Sequence, residues 1–563
     1  ARRRPPRQLE RPRYIPSVID SRAAAHHLHE IVALLELQGE DPAVPAPFAD
    51  AARALAADEA RPLGDLLTRD QRRFAPEVLE VLEDLGATGD STLLDRLRES
   101  TPEGLFEMLR VPGLGPSRIR RIHEGLGIDT LQELEAAARD GRLAALPRFG
   151  ARTAEQVQRG IAWLKESGTP VLLPHGRAEA ERLVSVVRRL PQVVRAEIAG
   201  AVRRHAETVR EVELVAACSG APEAVATAMT RVPGVRDSVG GGTRTVSIRF
   251  DDGVRLILHC VPPESFVVAW VRATGSEAHL TELAARAAHR GLTLEAAHLR
   301  GPDGRPLELT DESQLYAAIG VPWLPPELRE GLGEAAAAVA GTLPALVTEA
   351  DLRGALHCHS QSAFYSGGLT VETLARQHEE IDAINATYAD FTVLKGIEAD
   401  ILPCGRVDYP EAVLDRCDYV IASVHSRFGM NATQMTERVC KALDDPHVTI
   451  LGHPTGRLLL TREPYAIDMD AVFAHAGARG VAVELNADPH RLDLDWRLCR
   501  SARAHGALVA IGPDAHSVEG LDNIALGVGM ARKGWLAGSD VLNARELPAL
   551  RAFVARRRTG VTG

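Results

Sequence analysis

Between residues 25 and 165 the apolar positions recur with a helical period. Leu28, Ile31, Val32, Leu34 and Leu35 form one stripe, and Leu93, Leu94, Leu97, Leu105 and Leu109 continue in kind. From Val171 the pattern changes to short β-branched runs at 193–198, 212–215, 245–250 and 254–261, separated by Gly and Asp. These runs predict the strands of an α+β unit. A helical period returns at 277–289, and residues 341–351 read as a linker. From there to about residue 540, apolar strand-like runs and helices alternate, as in a parallel α/β fold.

A chain of 563 residues is too long for one domain; a length prior gives about three or four. With 45% hydrophobic and 25% charged residues it reads as a soluble globular protein. No apolar run approaches the roughly 18 residues of a membrane span. The opening Ala-Arg-Arg-Arg-Pro-Pro-Arg has no apolar segment behind it, so it reads as a solvated basic tail rather than a secretory signal. The seven cysteines show no paired spacing, which points to a reducing cytoplasm. The net charge of −11 argues against a protein that merely coats DNA, yet the stretch 110–165 is locally basic. Lysine occurs only at 165, 395, 441 and 533.

Three sets of residues carry candidate chemistry. Between Ala355 and Ser517, short His/acid motifs stand at the ends of apolar runs: His357-Cys-His359-Ser, Glu398-Ala-Asp400, Val-His425-Ser, Gly-His453-Pro-Thr-Gly-Arg457, Glu484-Leu-Asn486 and Asp514-Ala-His516-Ser. Parallel α/β folds place their chemistry where strands emerge into loops. Imidazoles and carboxylates converging there suit a cluster of Zn²⁺, Mn²⁺ or Fe²⁺ that activates water, as for phosphoester hydrolysis. The bland alternative is a scatter of ordinary core and surface histidines. The second set is Val111-Pro-Gly113-Leu-Gly115-Pro-Ser-Arg118, with Arg120 and Arg121 following. Two glycines at a turn into a helix expose N–H groups to a DNA phosphate, as in a helix-hairpin-helix. A bare helix–helix turn is the plain alternative, and 146–153 is a weaker second copy in which Arg148 replaces the first Gly. The third set is Gly200-Ala-Val-Arg203-Arg204, followed by Glu211-Val-Glu213. Alternation puts both carboxylates on one strand face, where a metal would relieve their repulsion. Glu-X-Glu on a strand is nevertheless more often a solvated face.

These residues together resemble the bacterial family X DNA polymerases with a C-terminal PHP (polymerase and histidinol phosphatase) domain. Further marks are Leu-Glu-Leu-x-Gly-Glu at 35–40, Pro-Pro-Glu-Ser-Phe at 262–266, Thr274-Gly275-Ser276 with His279, and Leu-Pro-Pro-Glu-Leu-Arg-Glu at 324–330. The resemblance implies a multidomain fold: helical N-terminal and fingers domains, an α+β nucleotidyltransferase-like palm with a thumb, and a distorted β/α barrel. In this numbering the expected parts are a basic tail at 1–24, an N-terminal DNA-binding domain at 25–90, and fingers at 91–168. Then come a palm at 169–271, a thumb at 272–340, the linker, a PHP phosphoesterase domain at 352–545 and a C-terminal tail at 546–563. It also implies site roles. Gly200, Arg203 and Arg204 would face nucleotide phosphates, and Thr274, Gly275 and Ser276 would border the sugar. Gly113, Gly115, Arg118, Arg120 and Arg121 would grip DNA. His357, His359, Glu398, His425, Asp514 and His516 would be metal ligands, with Glu398 able to bridge two ions. His453 would be a further ligand or acid/base group, Arg457 would hold the scissile phosphate, and Asp400 and Asn486 would support the ligands.

The implied function is DNA repair on gapped or primed duplex by a monomeric enzyme. A Mn²⁺ or Zn²⁺ cluster would serve a 3′→5′ exonuclease, and Mg²⁺ or Mn²⁺ with dNTP would serve the palm. Departures from the family pattern temper the second activity. The family's Asp-x-Asp is Glu211 and Glu213 here, and its third palm Asp falls on Ile257, which cannot ligate a metal. A segment of about thirty residues of the family pattern, with an Asp and a His ligand, has no counterpart between Ser360 and Gly367; that interval is too short for the roughly 10-residue crossover a parallel strand needs. The competing readings are a DNA-binding repair scaffold without catalysis, and a small-molecule phosphatase of the histidinol-phosphate type.

Overall fold

The computed structural model describes residues 20–57, 61–70, 73–88, 91–166, 170–359 and 369–559. Residues 1–19 of the expected basic tail and the interval 360–368 lie outside the described residues, whereas residues 21–24 of that tail open the first helix. The chain divides into two compact units: Ala1–Thr101 with Ser426–Met430, and the remainder. No described helix is long and apolar enough to cross a membrane.

The first unit is helical, and its sequence stripe is its core. In the helix Ser21–Gln38, Leu28, Ile31, Leu34 and Leu35 are buried. Asp20 caps that helix by accepting from the Ala23 N–H at 2.8 Å, satisfying one of the first-turn donors. The helix Thr92–Glu99 also belongs to this unit, which carries it past the expected boundary at 90. Within the same unit the Arg427 N–H donates to Asp95 at 2.7 Å.

The second unit begins with the fingers. Two helix-entry turns there repeat one geometry. Leu114 N–H donates to Val111 C=O, and Phe149 N–H donates to Leu146 C=O; Arg118 N–H reaches Gly115 C=O as Thr153 N–H reaches Gly150 C=O. Gly113 holds φ +82°, and Arg148 holds φ +67° at the matching position. The second hairpin is therefore built, with an arginine in a left-handed conformation that costs about 1 kcal/mol against glycine.

The palm is a five-stranded sheet in the order Val193–Ile198, Val212–Cys218, Arg255–Val261, Thr245–Phe250, Val235–Val239. Only the second and third of these pair in parallel. The helix Phe266–Thr274 runs from palm into thumb across the expected boundary at 271. The thumb core gathers Val267, Val271, Leu283, Leu315 and Tyr316. Beside it, Glu312 takes forks from two arginines: Arg329 at 2.7 and 2.8 Å, and Arg203 at 2.8 and 2.8 Å. Burial opposes ionisation of Glu312, but the hydrogen bonds from Arg329 and Arg203 outweigh it and hold the carboxyl down at about 2. Arg329 is fully buried, so Glu312→Gln strands a guanidinium without a carboxylate. We expect a loss of about 3 kcal/mol, read as a lowered urea midpoint. Because the folded carboxyl titrates below its ordinary value, its contribution is complete above the ordinary carboxylate range. It is lost as pH falls toward 2, so wild type and variant should converge in acid.

The C-terminal domain carries five parallel strands, Gly396–Asp400, Tyr419–Ser423, Val448–Leu451, Ala482–Asn486 and Val509–Gly512, each paired to the next in chain order. Sequential pairing through crossover helices is the barrel-like arrangement rather than the doubly wound one. A parallel bridge from Cys358 to Ala515 brings the His357–His359 segment beside the last strand. The stretch expected as a C-terminal tail is instead the helix Leu547–Thr559. Leu550, Phe553, Val554 and Arg557 form its buried stripe at helical spacing. Arg557 donates to the Leu443, Asp445 and Val448 carbonyls, closing that end of the domain.

Candidate active site

The His/acid motifs meet where the five strands end. One group is His357, His359 and Asp514; the other is Glu398, His425 and His453; within each, one ligand atom per residue lies within 4.8 Å of the others. Glu398 joins them. Its Oε2 lies 3.3 Å from His357 Nε2 and 3.4 Å from His359 Nε2. Its Oε1 lies 3.0 Å from His453 Nε2 and 3.4 Å from His425 Nε2. Asp514 Oδ1 stands 3.1 Å from His359 Nε2 and 3.3 Å from His357 Nε2. His516 stacks on His359 with ring centroids 4.2 Å apart and remains half exposed, at the mouth of the site.

Other groups hold these side chains in place. His357 Nδ1 contacts Glu484 at 2.6 Å, and His425 Nδ1 contacts Asp400 at 2.5 Å, which turns each Nε2 toward Glu398. Asn486 donates to Asp514 Oδ2 at 2.9 Å, leaving Oδ1 for the histidines. A carboxylate behind an imidazole is the usual support of a metal ligand. The residues fit divalent ions on a further observation: His357 Nε2 and Asp514 Oδ1 are buried and face each other without a hydrogen bond. Buried polar atoms left so are exceptional unless something else satisfies them. Electrostatics agree. Burial opposes charge on all these groups, yet the carboxylates of Asp514, Glu484 and Glu398 raise His357 well above the ordinary imidazole range. His357 and His425 in turn hold Glu398 well below the carboxylate range. His453 differs: burial, reinforced by Arg491, lowers it to about 3, leaving a neutral imidazole.

One expectation fails here. Arg457 does not face the cluster. Its guanidinium donates to Glu207 at 2.7 Å, Asp495 at 2.9 Å and the Arg491 carbonyl at 3.0 Å, and is buried. A buried arginine goes to the carboxylates that can neutralise it, and here those lie in the palm and in the loop after the strand Ala482–Asn486. The arginine at the cluster is Arg491, whose Nε lies 3.4 Å from Asp514 Oδ2. No local pattern marks it, because Arg491 stands five residues beyond Asn486, in a loop without a His/acid motif. Glu484 likewise supports the site, through His357, from a motif that the sequence marks without showing that role.

In the palm, Gly200, Arg203, Arg204 and Thr274–Ser276 come together, but both guanidinia turn into the thumb. Arg203 reaches Glu312 and the Thr274 hydroxyl at 2.8 Å and lies 3.5 Å over the Trp270 ring. Arg204 reaches the Thr274 carbonyl at 2.7 Å and Glu330 at 3.2 Å. Ser276 caps the next helix by accepting from His279 N–H at 3.1 Å. Gly200, at φ +60°, has no room for a Cβ beside Glu213. Glu213 lies on the strand and pairs across to Ile257, while Glu211 stands just before it. Burial and Glu213 raise the Glu211 carboxyl. No third carboxylate faces this pair from the strand Arg255–Val261, and among the described residues neither glutamate belongs to a close group of three or more His, Cys, Asp or Glu side chains. The palm residues therefore do not fit a two-ion site. A third close group, Glu135, His175 and Glu179, is occupied by arginine: Arg139 reaches Glu135 at 2.6 Å and Glu179 at 3.2 Å.

Family models agree with this layout. A DNA polymerase beta thumb matches residues 269–330. A SAM-like helix-hairpin-helix tandem matches residues 106–162, covering both turns. A protein of Bacillus subtilis (strain 168) called DNA polymerase/3′-5′ exonuclease PolX is 31% identical over 567 residues, covering 94% of this chain and 98% of that one. The chain belongs to the family X DNA polymerases. Probable phosphatases match part of it. One from Clostridium acetobutylicum is 34% identical over 136 residues, 23% of this chain and 53% of that protein. One from Syntrophotalea carbinolica is 28% identical over 165 residues, 27% of this chain and 64% of that protein. Against the first of these phosphatases the chain covers about half the length. This family X chain thus joins polymerase-type domains to a phosphatase-like region, as the resemblance implied.

Proposed function

We propose that the chain is a cytoplasmic, monomeric DNA-repair enzyme whose working centre is the PHP phosphoesterase, acting as a 3′→5′ exonuclease. The observation that carries this is Glu398, one oxygen toward each of two His/acid groups. His357, His359, Glu398, His425, His453 and Asp514 would hold Mn²⁺ or Zn²⁺, and His516 borders them. When bound, such ions supply Lewis acidity toward phosphate and activation of water. The chain's own groups supply the rest. Glu484 and Asp400 fix the rings of His357 and His425. Asn486 and Arg491 fix Asp514. The test is Mn²⁺-dependent turnover of a primed template with and without dNTPs. Degradation without dNTPs supports the reading; an intact strand under all conditions would overturn it.

A scaffold reading is favoured for the palm alone. Ile257 stands opposite Glu213, and Arg203 and Arg204 are engaged by thumb carboxylates. On this reading the polymerase body contributes DNA grip more than synthesis, with gapped or primed duplex as its partner.

The grip is assigned to the hairpin, where Gly113 and Gly115 open the turn and Arg118, Arg120 and Arg121 line the following helix. Arg118 is exposed and donates to the Gly113 carbonyl at 3.0 Å, bracing the turn. Valine at Gly113 is strained by φ +82°. Gly113→Val with Gly115→Val should weaken binding to all DNA sequences alike, because the contacts are to phosphate. Arg118→Ala should lower the salt slope by about one counterion in an anisotropy titration. Sequence-selective loss would count against the assignment.

A further inference from the structure

We propose that Glu207, a palm residue, is a positioning residue of the PHP phosphoesterase site; the inference rests on the phosphoesterase reading above. Glu207 follows the Gly200–Arg204 turn, and its backbone carbonyl accepts from the Leu173 N–H at 3.1 Å, which anchors it in the palm. Its Oε1 takes the Arg457 guanidinium at 2.7 Å, and its Oε2 takes Arg497 at 3.3 Å. Arg457 lies four residues beyond His453, on the same loop. From Arg457 the contact continues inward. Its guanidinium donates to the carbonyls of Arg491 and Leu492, the backbone that carries the arginine beside Asp514.

The two loops are also tied directly. Thr455 donates through its N–H and its hydroxyl to Asp493, at 3.0 and 2.9 Å for the nearer oxygens. Leu492 holds φ +42° and His453 holds φ +20°. Such conformations cost energy in non-glycine residues and persist only where neighbours enforce them. Arg457 is one of those neighbours, and it is a buried cation. Withdrawing Glu207 leaves it the ion pair with Asp495 and the nearby charge of Asp493, and both lie on the loop whose shape it sets. We expect the guanidinium to shift toward them, loosening Arg491 behind Asp514 and His453 beside Glu398. A ligand site is sensitive to such changes, since loss of an outer supporting group commonly weakens metal affinity or activity about 10–100-fold.

The experiment must separate site geometry from DNA grip, so the substrate is a small chromogenic diester, bis(p-nitrophenyl) phosphate, with Mn²⁺ as the metal and the full chain as the enzyme. Glu207→Gln should lower turnover about tenfold, or raise the Mn²⁺ concentration for half activity by a similar factor. Mn²⁺ binding followed by electron paramagnetic resonance should weaken in parallel. Arg457→Lys keeps a charge for Glu207 but loses the planar fork that spans two carbonyls. It should show the same loss, and it stands in if Glu207→Gln fails to fold. Arg497→Ala removes the other partner of Glu207 without touching the loop carbonyls and should stay within about twofold of wild type. An active wild type with unchanged Glu207→Gln turnover and Mn²⁺ binding overturns the proposal. Equal losses in Glu207→Gln and Arg497→Ala overturn it too, because they indicate only a shared role in joining the domains. A wild type inert toward both the diester and DNA overturns the phosphoesterase reading, and this proposal falls with it.

Discussion

Asp514→Ala should remove Mn²⁺-dependent strand degradation by about 10³-fold or more, equivalent to roughly 4 kcal/mol of transition-state stabilisation. The geometry gives the reason. Asp514 presents Oδ1 to His357 and His359 at 3.3 and 3.1 Å, while Oδ2 is held by Asn486 and Arg491 at 2.9 and 3.4 Å. Alanine removes a ligand from one group and leaves two histidines without their carboxylate. Asp514→Asn, which keeps the shape and loses the charge, should fall nearly as far. DNA affinity should stay within about twofold in both, since phosphate contacts set it and Asp514 makes none. His425→Ala should behave in the same way from the other side of Glu398. Chelation should silence the wild type, and added Mn²⁺ should restore it but not Asp514→Ala. Proton linkage gives a second check. Without metal, burial opposes charge on His357 and His425, yet neighbouring carboxylates raise both well above the ordinary imidazole range, so metal must displace protons there. The Mn²⁺ concentration for half activity should therefore fall as pH rises. Strand degradation that survives in Asp514→Ala would remove the assignment.

The two His/acid groups are legible in the sequence because strand periodicity tells where a short motif emerges, and the end of a parallel strand is where such residues meet. His357, Glu398, His425, His453 and Asp514 each close an apolar run, and the structure gathers all five. Arg457 shows the limit. Its backbone position follows from the motif it shares with His453, but a long side chain is steered by whichever carboxylate can neutralise it. That carboxylate is Glu207, 250 residues away in the chain. No local pattern reports such a partner. Arg203 and Arg204 repeat the lesson, drawn to Glu312 and Glu330 of the thumb. The second hairpin is present but weak as a motif, for a different reason. Its first glycine is Arg148, and the fold tolerates the left-handed strain because the surrounding turn bonds are kept. The final helix was hidden by its short apolar stripe among arginines, and those arginines turn out to bind barrel-end carbonyls.

Restoring the palm should have an effect of similar size and opposite sign. The triple variant Glu211→Asp, Glu213→Asp and Ile257→Asp should raise Mg²⁺- or Mn²⁺-dependent nucleotide incorporation about 10³-fold over wild type. Of this, about 100-fold comes from returning the carboxylates by about 1.5 Å, and the remainder from the missing ligand. The register supports the design. Glu213 pairs with Ile257 across parallel strands, and Ile257 shares the partly exposed face of its strand with Arg255 and His259. An aspartate at 257 would therefore face the same side as residue 213, where His259 Nε2 already stands 3.9 Å from the Glu213 carboxylate. Ile257→Asp alone should gain little, because the two longer glutamates still place their oxygens wrongly. The three changes should be strongly non-additive, as expected of groups sharing one ion. Arg203 sets a second condition. It must leave Glu312 to meet a nucleotide phosphate, so incorporation by the triple variant should rise further at high dNTP and saturate late. A wild type that already incorporates nucleotide at the triple variant's rate would show that two glutamates suffice, and the scaffold reading of the palm would be wrong.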